Sequence, residues 1–388
     1  MKVAMVSTWF TACGVGQYTE ELCNELMDKV ELKVFAEELP IILGIRNIGR
    51  QPNNLNILKI PYERCYVRGD DYSKLLYKLL EYKPDIVHVQ FETSMFQETY
   101  SYHSSFLDFL NALHAKNIKT VVTFHTIIPR PNFNNEETHQ VTMWYNSLNS
   151  KGIVGNDAVK NELLKWAPNF DVSAIPLGST IFKSISKEEA AEKLKLDKNR
   201  IYIVQPGFYG ADKGMTQLVS LMPQILYKYP NTCLVFAGGL HPMAPKAWRA
   251  HTKECIIEII KSKLTENVIM LGRFVPEEEL NLWLGLADIV MQNYHWVSGL
   301  YSASANAHRL LCAHRPIIMN AQDVRLSEFT NDVHCAKAND NNMLEVILKC
   351  LENKTFAQKI SEGAVAYAHE TTFESCAKKH LEIYEKCI

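Results

Sequence analysis

The sequence lacks the features that mark membrane-spanning or exported proteins. It contains no run of about 18 apolar residues, so it predicts no membrane-spanning helix. Met1 leads directly into the apolar segment KVAMVS, without the charged and apolar regions of a signal peptide. The sequence therefore predicts a cytoplasmic protein.

Paired cysteines and clustered charges are also missing. None of the ten cysteines stands in a CxxC pair, which argues against a zinc or redox site. Most of them lie in apolar segments, a pattern that predicts buried thiols in a reducing compartment. The formal net charge is −2, and no block of like charges stands out. Because phosphate-driven affinity requires many clustered Lys and Arg residues, nucleic acid is not an expected partner.

The length and a repeated pattern indicate two domains. A single hydrophobic core usually stops growing at about 250–300 residues, and this chain has 388. A short apolar strand, a glycine-bearing turn and a helix occur in VAMVSTWFTACGVGQYTEEL and again in IYIVQPGFYGADKGMTQLVSLM. Two such units predict two α/β domains with doubly wound parallel sheets, facing one cleft that holds a nucleotide-bearing ligand.

A polar stretch from Ser179 to Arg200 lies between these two patterns. Its composition predicts a charged linker with a short helix and thus the domain boundary. We therefore expect an N-terminal domain over residues 1–182 and a C-terminal domain over residues 195–369.

The first glycine-bearing turn contains Gly14, Gly16 and Gln17 and precedes an amphipathic helix. Small residues let backbone N–H groups approach a ligand, and the start of a helix favours negative charge. Glu37 or Glu38 follows about 20 residues later, where a dinucleotide-binding domain keeps its ribose-binding acid. A nicotinamide-dependent dehydrogenase would explain this arrangement, although the third glycine of its motif is missing.

Two predicted strands, DIVHVQFE and KTVVTFHT, are apolar runs that end in polar residues. Such runs are typical of parallel sheets covered on both faces, which bind ligands beyond the carboxyl ends of their strands. His125 at one such end can share a proton or bind a sugar hydroxyl, since its ordinary pKa lies near neutrality. The alternative is a histidine held only by backbone hydrogen bonds. These strand ends deliver Gln90, Glu92, His125 and Thr126.

Seven segments follow one another along the chain: GVGQYTEEL, DIVHVQFE, TFHTIIP, VQPGFYGADKGM, FAGGLHP, VIMLGRFVPEEELNLWLGLADIVMQNY and TTFESCAKKHLEIYEKC. Taken in this order, they resemble the retaining glycosyltransferases of family 4, which have the two-domain GT-B architecture. The likeness covers nearly the whole chain. It implies that the C-terminal helix, about 370–388, crosses back to the N-terminal domain.

The resemblance implies transfer of a hexose from a nucleotide-diphosphate sugar to an acceptor hydroxyl with retention of configuration, in polysaccharide or glycoconjugate synthesis. Lys213 follows the signature glycine by six positions and would bind the departing diphosphate. Lys213 and His125 would be the catalytic residues. Because lysine and backbone amides hold the diphosphate in such enzymes, the resemblance implies no metal and no other cofactor. An ordinary solvated turn lysine is the alternative for Lys213.

The resemblance also assigns binding residues in both predicted domains. Glu92 and Thr126 would shape the acceptor or sugar pocket. The residues expected at the donor are Gly14, Gly16, Gln17, Gly207, Phe208, Arg273, Phe274, Val275, Gly299, Ser302 and Ser304.

The chain departs from the family pattern at two places. Phe208 stands where the family commonly has an arginine, and Arg273 is the candidate replacement for that charge. Tyr301 and Arg309 stand where many relatives carry two glutamates, when Arg315-Pro316 is set on the family's Gly-Arg-Pro-like turn. These departures leave open a non-catalytic nucleotide-sugar binder with a decayed transferase fold. A phosphorylase or epimerase of similar architecture is a further alternative.

The sequence leaves the acceptor open: a glycan, a lipid-linked sugar or another hydroxyl compound. A loosely basic stretch of the first domain is interspersed with isoleucine and leucine. This pattern fits peripheral contact with an anionic membrane surface, and it equally fits a solvated loop. Its basic residues are Arg46, Arg50, Lys59, Arg64 and Arg68.

Overall fold

The chain forms two compact units. The first contains Met1–Gly178, Ser298–Ala305 and Phe373–Ile388, and the second contains Ser179–Val297 and Asn306–Thr372. The second unit thus begins where the predicted linker begins. The computed structural model describes residues 1–11, 13–39, 41–42, 45–46, 52, 54–67, 69, 71–96, 104–127, 135–241, 244, 246–295 and 301–388.

The first unit is built on a seven-stranded parallel sheet. Up to residue 178, the described part of the chain forms the strands β1 (Lys2–Ser7), β2 (Glu31–Glu37), β3 (Ile41–Ile42), β4 (Ile45–Arg46), β5 (Tyr62–Tyr66), β6 (Ile86–Phe91), β7 (Lys119–Phe124), β8 (Thr126–Ile127), β9 (Lys151–Val154) and β10 (Val172–Ala174). The sheet order is β10-β9-β7-β6-β1-β2-β5, while β3 and β4 form a separate antiparallel pair. The helices up to this point are α1 (Gly14–Leu26), α2 (Ser73–Tyr82), α3 (Thr93–Phe96), α4 (Ser105–His114), α5 (Asn135–Asn146) and α6 (Asp157–Trp166).

The second unit is built on a six-stranded parallel sheet of order β13-β12-β11-β14-β16-β17. From residue 179 onward the chain forms α7 (Lys187–Leu194), β11 (Ile201–Pro206), α8 (Met215–Lys228), β12 (Thr232–Ala237), α9 (Lys246–Lys261), β13 (Val268–Met270), α10 (Glu277–Leu286), β14 (Ile289–Gln292), β15 (Tyr301–Ser302), α11 (Ala305–Leu310), β16 (Ile317–Asn320), β17 (Ala336–Ala338), α12 (Met343–Glu352), α13 (Lys354–Glu370) and α14 (Phe373–Cys387). These two sheets confirm the predicted α/β class with parallel, Rossmann-like units.

Apolar runs form the central strands because both faces of each sheet are covered by helices. Every residue of β6 and of β12 is buried. A strand without an exposed face needs no alternation of polar and apolar residues, so most of its residues are hydrophobic. The strand ends then place polar side chains at one edge of each sheet.

Two late segments complete the first unit. β15 pairs antiparallel with β8, so that Ser302 lies opposite Thr126. Ala303 packs on Gly155, where a Cβ atom would lie 2.4 Å from the Cβ of Ala303. Helix α14 packs against α1, with the hydroxyl of Tyr18 lying 3.6 Å from the Sγ atom of Cys376.

Short local signals determine where helices begin and end. Asn156 lies two residues after the end of β9, where its side chain accepts the N–H of Val159 at 2.9 Å and caps α6. Helix α11 begins at Ala305, and a 3₁₀ turn over Leu311–Ala313 follows it.

No helix among the described residues is long and apolar enough to cross a membrane. All ten cysteines are free thiols, and all but Cys13 and Cys387 are buried. This burial agrees with the prediction from their apolar sequence contexts.

Candidate functional site

The signature loop of the second unit follows β11 and lies close to the ends of neighbouring strands. Gly207 has a φ of +124°, and its carbonyl oxygen would lie 1.8 Å from a Cβ atom placed on Gly238. Gly214 has a φ of +58° and precedes α8 directly. Side chains at these positions would clash or strain the backbone, so the glycines allow the loops after β11 and β12 to approach closely.

Lys213 is held in place rather than extended into solvent. Its Nζ atom lies 3.0 Å from the Oδ2 atom of Asp212 and 3.6 Å from the ring centroid of Tyr294. The side chain is only 14% exposed. An ion pair and a cation–π contact together fix the ammonium group at the carboxyl end of β11. A solvated turn lysine, the alternative from sequence, does not fit this environment.

Arg325 adds a second cation that the sequence analysis did not single out. Its Nη1 atom donates to Asp212 Oδ2 at 2.7 Å, its Nε atom donates to Asp323 at 2.9 Å, and its Nη2 atom donates to the carbonyl of His295 at 3.1 Å. Its Cζ atom lies 4.9 Å from the Tyr294 ring centroid. In the sequence, Arg325 stands shortly after the apolar segment that forms β16 and two residues after Asp323.

The charges of this cluster balance, since Lys213 and Arg325 face Asp212 and Asp323. Burial alone would raise the pKa of Asp212, but Lys213 and then Arg325 outweigh it and lower that pKa below its ordinary value. Burial alone would lower the pKa of Arg325, but its hydrogen bonds to Asp323 and Asp212 raise it instead. The Oδ1 atom of Asp212 is buried and has no hydrogen-bond partner among the described residues.

Aromatic rings surround the position where the family pattern has an arginine. The ring of Phe208 meets His241 edge-on at 4.9 Å and lies 6.4 Å from Phe274. Arg273 forms a two-pronged pair with Glu279, at 2.6 and 2.8 Å, and its side chain is 53% exposed. The guanidinium of Arg273 is therefore already engaged with a carboxylate.

The remaining donor-side predictions fall in three places. Val275 is half-buried against the core of the second unit. Ser302 and the buried Ser304 lie in the segment that belongs to the first unit. Gly299 lies outside the described residues.

In the first unit, His125 lines a small pocket at the carboxyl end of β7. The other lining residues are Tyr18, Thr123, Phe124, Ile153, Val154, Gly155, Ile175, Leu177 and Ala303. The Nε2 atom of His125 lies 2.9 Å from Gln90 Oε1, and its ring meets Tyr18 edge-on at 5.2 Å. Burial, and then the nearby His380, lower the pKa of His125 to about 4, so its ring is neutral at pH 7.

The first glycine-bearing turn forms the start of α1. The N–H of Gly16 donates to the Sγ atom of Cys13 at 3.3 Å, and the N–H of Gln17 donates to the Cys13 carbonyl at 3.1 Å. Two of the first amides of the helix are thus already engaged by the preceding residue. Glu92 directly precedes α3, and its carbonyl accepts the N–H of Met95 at 2.9 Å.

The described residues of the two units do not bring together a metal site. Among the residues that the structure describes, no group of three His, Cys, Asp or Glu side chains is arranged to hold a metal ion.

Tyr301 is half-buried near Glu162 and Lys165, and Arg309 pairs with Glu277. The two positions aligned with the glutamates of relatives thus hold a phenol and an ion-paired guanidinium.

Comparison with known families gives two matches along the chain. The family described as Glycosyltransferase Family 4 matches residues 12–178, and Glycosyl transferases group 1 matches residues 186–366. The comparison with curated protein sequences gives no match.

Solved structures share the whole architecture at low sequence identity. Anabaena Alr3699/HepE in complex with UDP is 14% identical, covers 100% of both chains and has a TM-score of 0.74. Sucrose-phosphate synthase (tll1590) from Thermosynechococcus elongatus is 13% identical, covers 100% of this chain and 99% of its own, and has a TM-score of 0.76. A glycosyltransferase from Rickettsia africae ESF-5 is 15% identical, covers 99% and 98%, and has a TM-score of 0.75. The Anabaena protein was also solved with UDP-glucose.

Proposed function

The chain belongs to the glycosyltransferases of the GT-B fold, and from this premise we propose that it transfers a hexose from a nucleotide-diphosphate sugar to an acceptor hydroxyl with retention of anomeric configuration. The product would be a polysaccharide or glycoconjugate. UDP-hexoses are the first donors to test, because UDP and UDP-glucose are bound in the Anabaena structures.

The observation that supports this proposal most directly is the fixed ammonium group of Lys213. A diphosphate leaving group gains negative charge as the glycosidic bond breaks, and a cation already in position stabilises that charge without reorganisation. The contacts of Lys213 with Asp212 and Tyr294 provide such positioning. The phosphate oxygens would contact the ammonium group in this position, while Arg325 keeps Asp212 neutralised.

The other proposed contacts follow from the character of each side chain. The neutral ring of His125 would hydrogen-bond a sugar hydroxyl, and Glu92 and Thr126 would contact the sugar or acceptor. Phe274 and Val275 would contact the nucleobase, with the ring of Phe208 beside Phe274. The amides of the first turn, at Gly14, would approach the sugar or phosphate.

Metal-independent catalysis is part of the proposal. Lysine and backbone amides would carry the charge that a divalent cation neutralises in other transferases. Transfer rates should therefore be equal in EDTA and in added Mg²⁺. A rate that rises strongly with Mg²⁺ or Mn²⁺ would contradict this part.

The decisive experiment has two stages. UDP-, GDP- and ADP-hexoses are first screened by thermal stabilisation, since a ligand at 100 times its dissociation constant adds about 2.7 kcal/mol. Transfer from the best donor is then followed with glycan and lipid-linked acceptors, and the anomeric configuration of the product is read by NMR. The absence of transfer from every donor, or an inverted product, would contradict the proposal.

Lys213→Ala tests the central residue. Loss of one preorganised charge contact should reduce the transfer rate about 100-fold or more. Lys193→Ala is the matched control, because Lys193 forms an exposed pair with Glu189 on α7 and should leave the rate unchanged. A wild-type rate in Lys213→Ala would remove the assignment.

A non-catalytic nucleotide-sugar binder is the second candidate. It is favoured by the pairing of Arg309 with Glu277, because the family resemblance sets Arg309 where many relatives carry a glutamate. Calorimetry that detects donor affinity, together with no hydrolysis and no transfer, would support this alternative.

A further inference from the structure

A chain of buried hydrogen bonds connects His125 with the C-terminal helix α14. Gln90 Oε1 lies 2.9 Å from His125 Nε2, and Gln90 Nε2 lies 3.2 Å from His88 Nε2. His88 in turn contacts Thr123 Oγ1 at 2.8 Å and, through Nδ1, the hydroxyl of Tyr384 at 2.6 Å. Gln90, His88 and Tyr384 are completely buried, so water does not compete for these bonds.

The direction of the bonds follows from one sulfur atom. Gln90 Nε2 also lies 3.4 Å from the Sδ atom of Met5. A thioether sulfur accepts hydrogen bonds and never donates, so the amide NH₂ of Gln90 faces Met5 and His88 while its oxygen faces His125. His88 therefore accepts at Nε2 and donates from Nδ1 to Tyr384.

The same logic determines the proton position on His125. The carbonyl oxygen of Gln90 can only accept, so the Nε2 atom of His125 must carry the hydrogen. The low pKa described above keeps the ring neutral at pH 7. A neutral ring with a proton on Nε2 has its lone pair on Nδ1, and no described residue is hydrogen-bonded to that atom.

We propose that Gln90 is a positioning residue that fixes His125 as the Nε2-protonated tautomer, so that Nδ1 accepts a hydrogen bond from a substrate hydroxyl. The tautomer follows from the hydrogen-bond geometry of the first unit, and only the identification of that hydroxyl with a sugar rests on the proposed function. A neutral acceptor atom suits a hydroxyl donor and not an anionic phosphate oxygen. Gln90 thus determines which part of a nucleotide sugar His125 can recognise.

The tautomer can be measured without any enzymatic assay. Full-length protein labelled with ¹⁵N at histidine gives separate ring-nitrogen shifts for protonated and bare atoms. The His125 signals are identified by their loss in His125→Asn. The wild-type spectrum should show a protonated Nε2 and a bare Nδ1 at pH 7; a bare Nε2 would overturn the proposal.

Two substitutions of Gln90 separate positioning from packing. Gln90→Met keeps the length of the side chain but removes the acceptor, so His125 should show both tautomers and kcat should fall about tenfold. Gln90→Glu keeps an acceptor, so the tautomer should persist. The added negative charge should raise the pKa of His125 and shift the acid limb of the pH–rate profile upward. A purely structural role would not move that limb.

Thr123→Val is the matched control for the spectrum, since it removes the other partner of His88 Nε2 at a buried position but leaves the hydrogen bond between Gln90 and His125 in place. It should leave the His125 tautomer unchanged.

A wild-type spectrum in Gln90→Met would overturn the proposal even if transfer activity is present. If no nucleotide sugar is transferred but the tautomer responds to Gln90 as expected, the proposed function fails while the positioning role stands. If Gln90→Met does not fold, the wild-type spectrum and Gln90→Glu decide the question.

Discussion

At the scale of single residues, Asp212 connects the two cations of the second unit. Its Oδ2 atom contacts both Lys213 and Arg325. Lys213 could be predicted from the sequence because glycines at fixed spacing mark its loop. Arg325 could not be predicted, because it stands 113 residues from Asp212 in the sequence. The two side chains come together only when β16 pairs with β14 in the sheet.

Replacing Arg325 with alanine should destabilise the protein strongly. The substitution leaves the buried carboxylates of Asp212 and Asp323 without their guanidinium partner, and breaking a buried pair in this way typically costs about 3–5 kcal/mol. The free energy of unfolding in urea measures the change.

Arg273→Ala provides the comparison, since Arg273 also forms a two-pronged pair with a carboxylate but is half-exposed. Its loss should cost less than about 1 kcal/mol. If both substitutions lower the free energy of unfolding by the same small amount, burial does not make the ion pairs of Arg325 more important for stability than the exposed pair of Arg273.

At the scale of elements, the sequence predicts the strands better than it predicts the contacts between distant segments. Continuous apolar runs predict buried parallel strands, and β6, β7, β11, β12 and β14 confirm this. The pairing of β15 with β8 involves two residues on each side, so it has no periodicity from which it could be predicted. The hydrogen bond between Gln90 and His125 could not be predicted either, although both residues were predicted to lie at strand ends.

Helix α14 contributes to a cluster of buried histidines. The rings of His88 and His380 lie 5.5 Å apart, and burial lowers the pKa of His380 to about 4. Burial likewise lowers the pKa of His88 below its ordinary value. In the unfolded chain these side chains should titrate near their usual value of about 6.5.

Stability should therefore fall as the pH drops from about 6.5 to about 4. In this range the unfolded state binds protons that the folded state does not, so each such histidine lowers the free energy of unfolding by about 1.4 kcal/mol per pH unit. Urea unfolding at pH 7 and pH 5 measures the slope. His380→Gln should flatten it, whereas His139→Gln, at an exposed position of α5, should leave it unchanged. A stability that does not change over this range would contradict the expectation.

At the scale of the whole molecule, the burial of the thiols could be predicted from the apolar segments in which most cysteines lie. Cysteine in an apolar segment behaves as a small hydrophobic residue, and the two cores take in eight of the ten. Burial raises the pKa of Cys335 and Cys350 to about 12, which leaves almost no reactive thiolate at pH 8.

Titration with a thiol reagent should accordingly distinguish the folded from the unfolded chain. The native protein should react rapidly at no more than two sites, Cys13 and Cys387, whereas the denatured protein should react at all ten. Absorbance of the released chromophore gives the count, and Cys13→Ser should lower the rapid count by one. Rapid reaction of four or more native thiols would contradict the buried environment of the remaining cysteines.

The path of the backbone has a consequence for how this protein can be divided or recombined. The chain passes between the units four times, at residues 178, 297, 305 and 372. A fragment that stops at Gly178 would lack both α14, with Tyr384, and the partner strand of β8. Neither unit is therefore encoded by one uninterrupted stretch of the gene, and replacing the second unit with that of another protein would require splicing at several points rather than a single fusion.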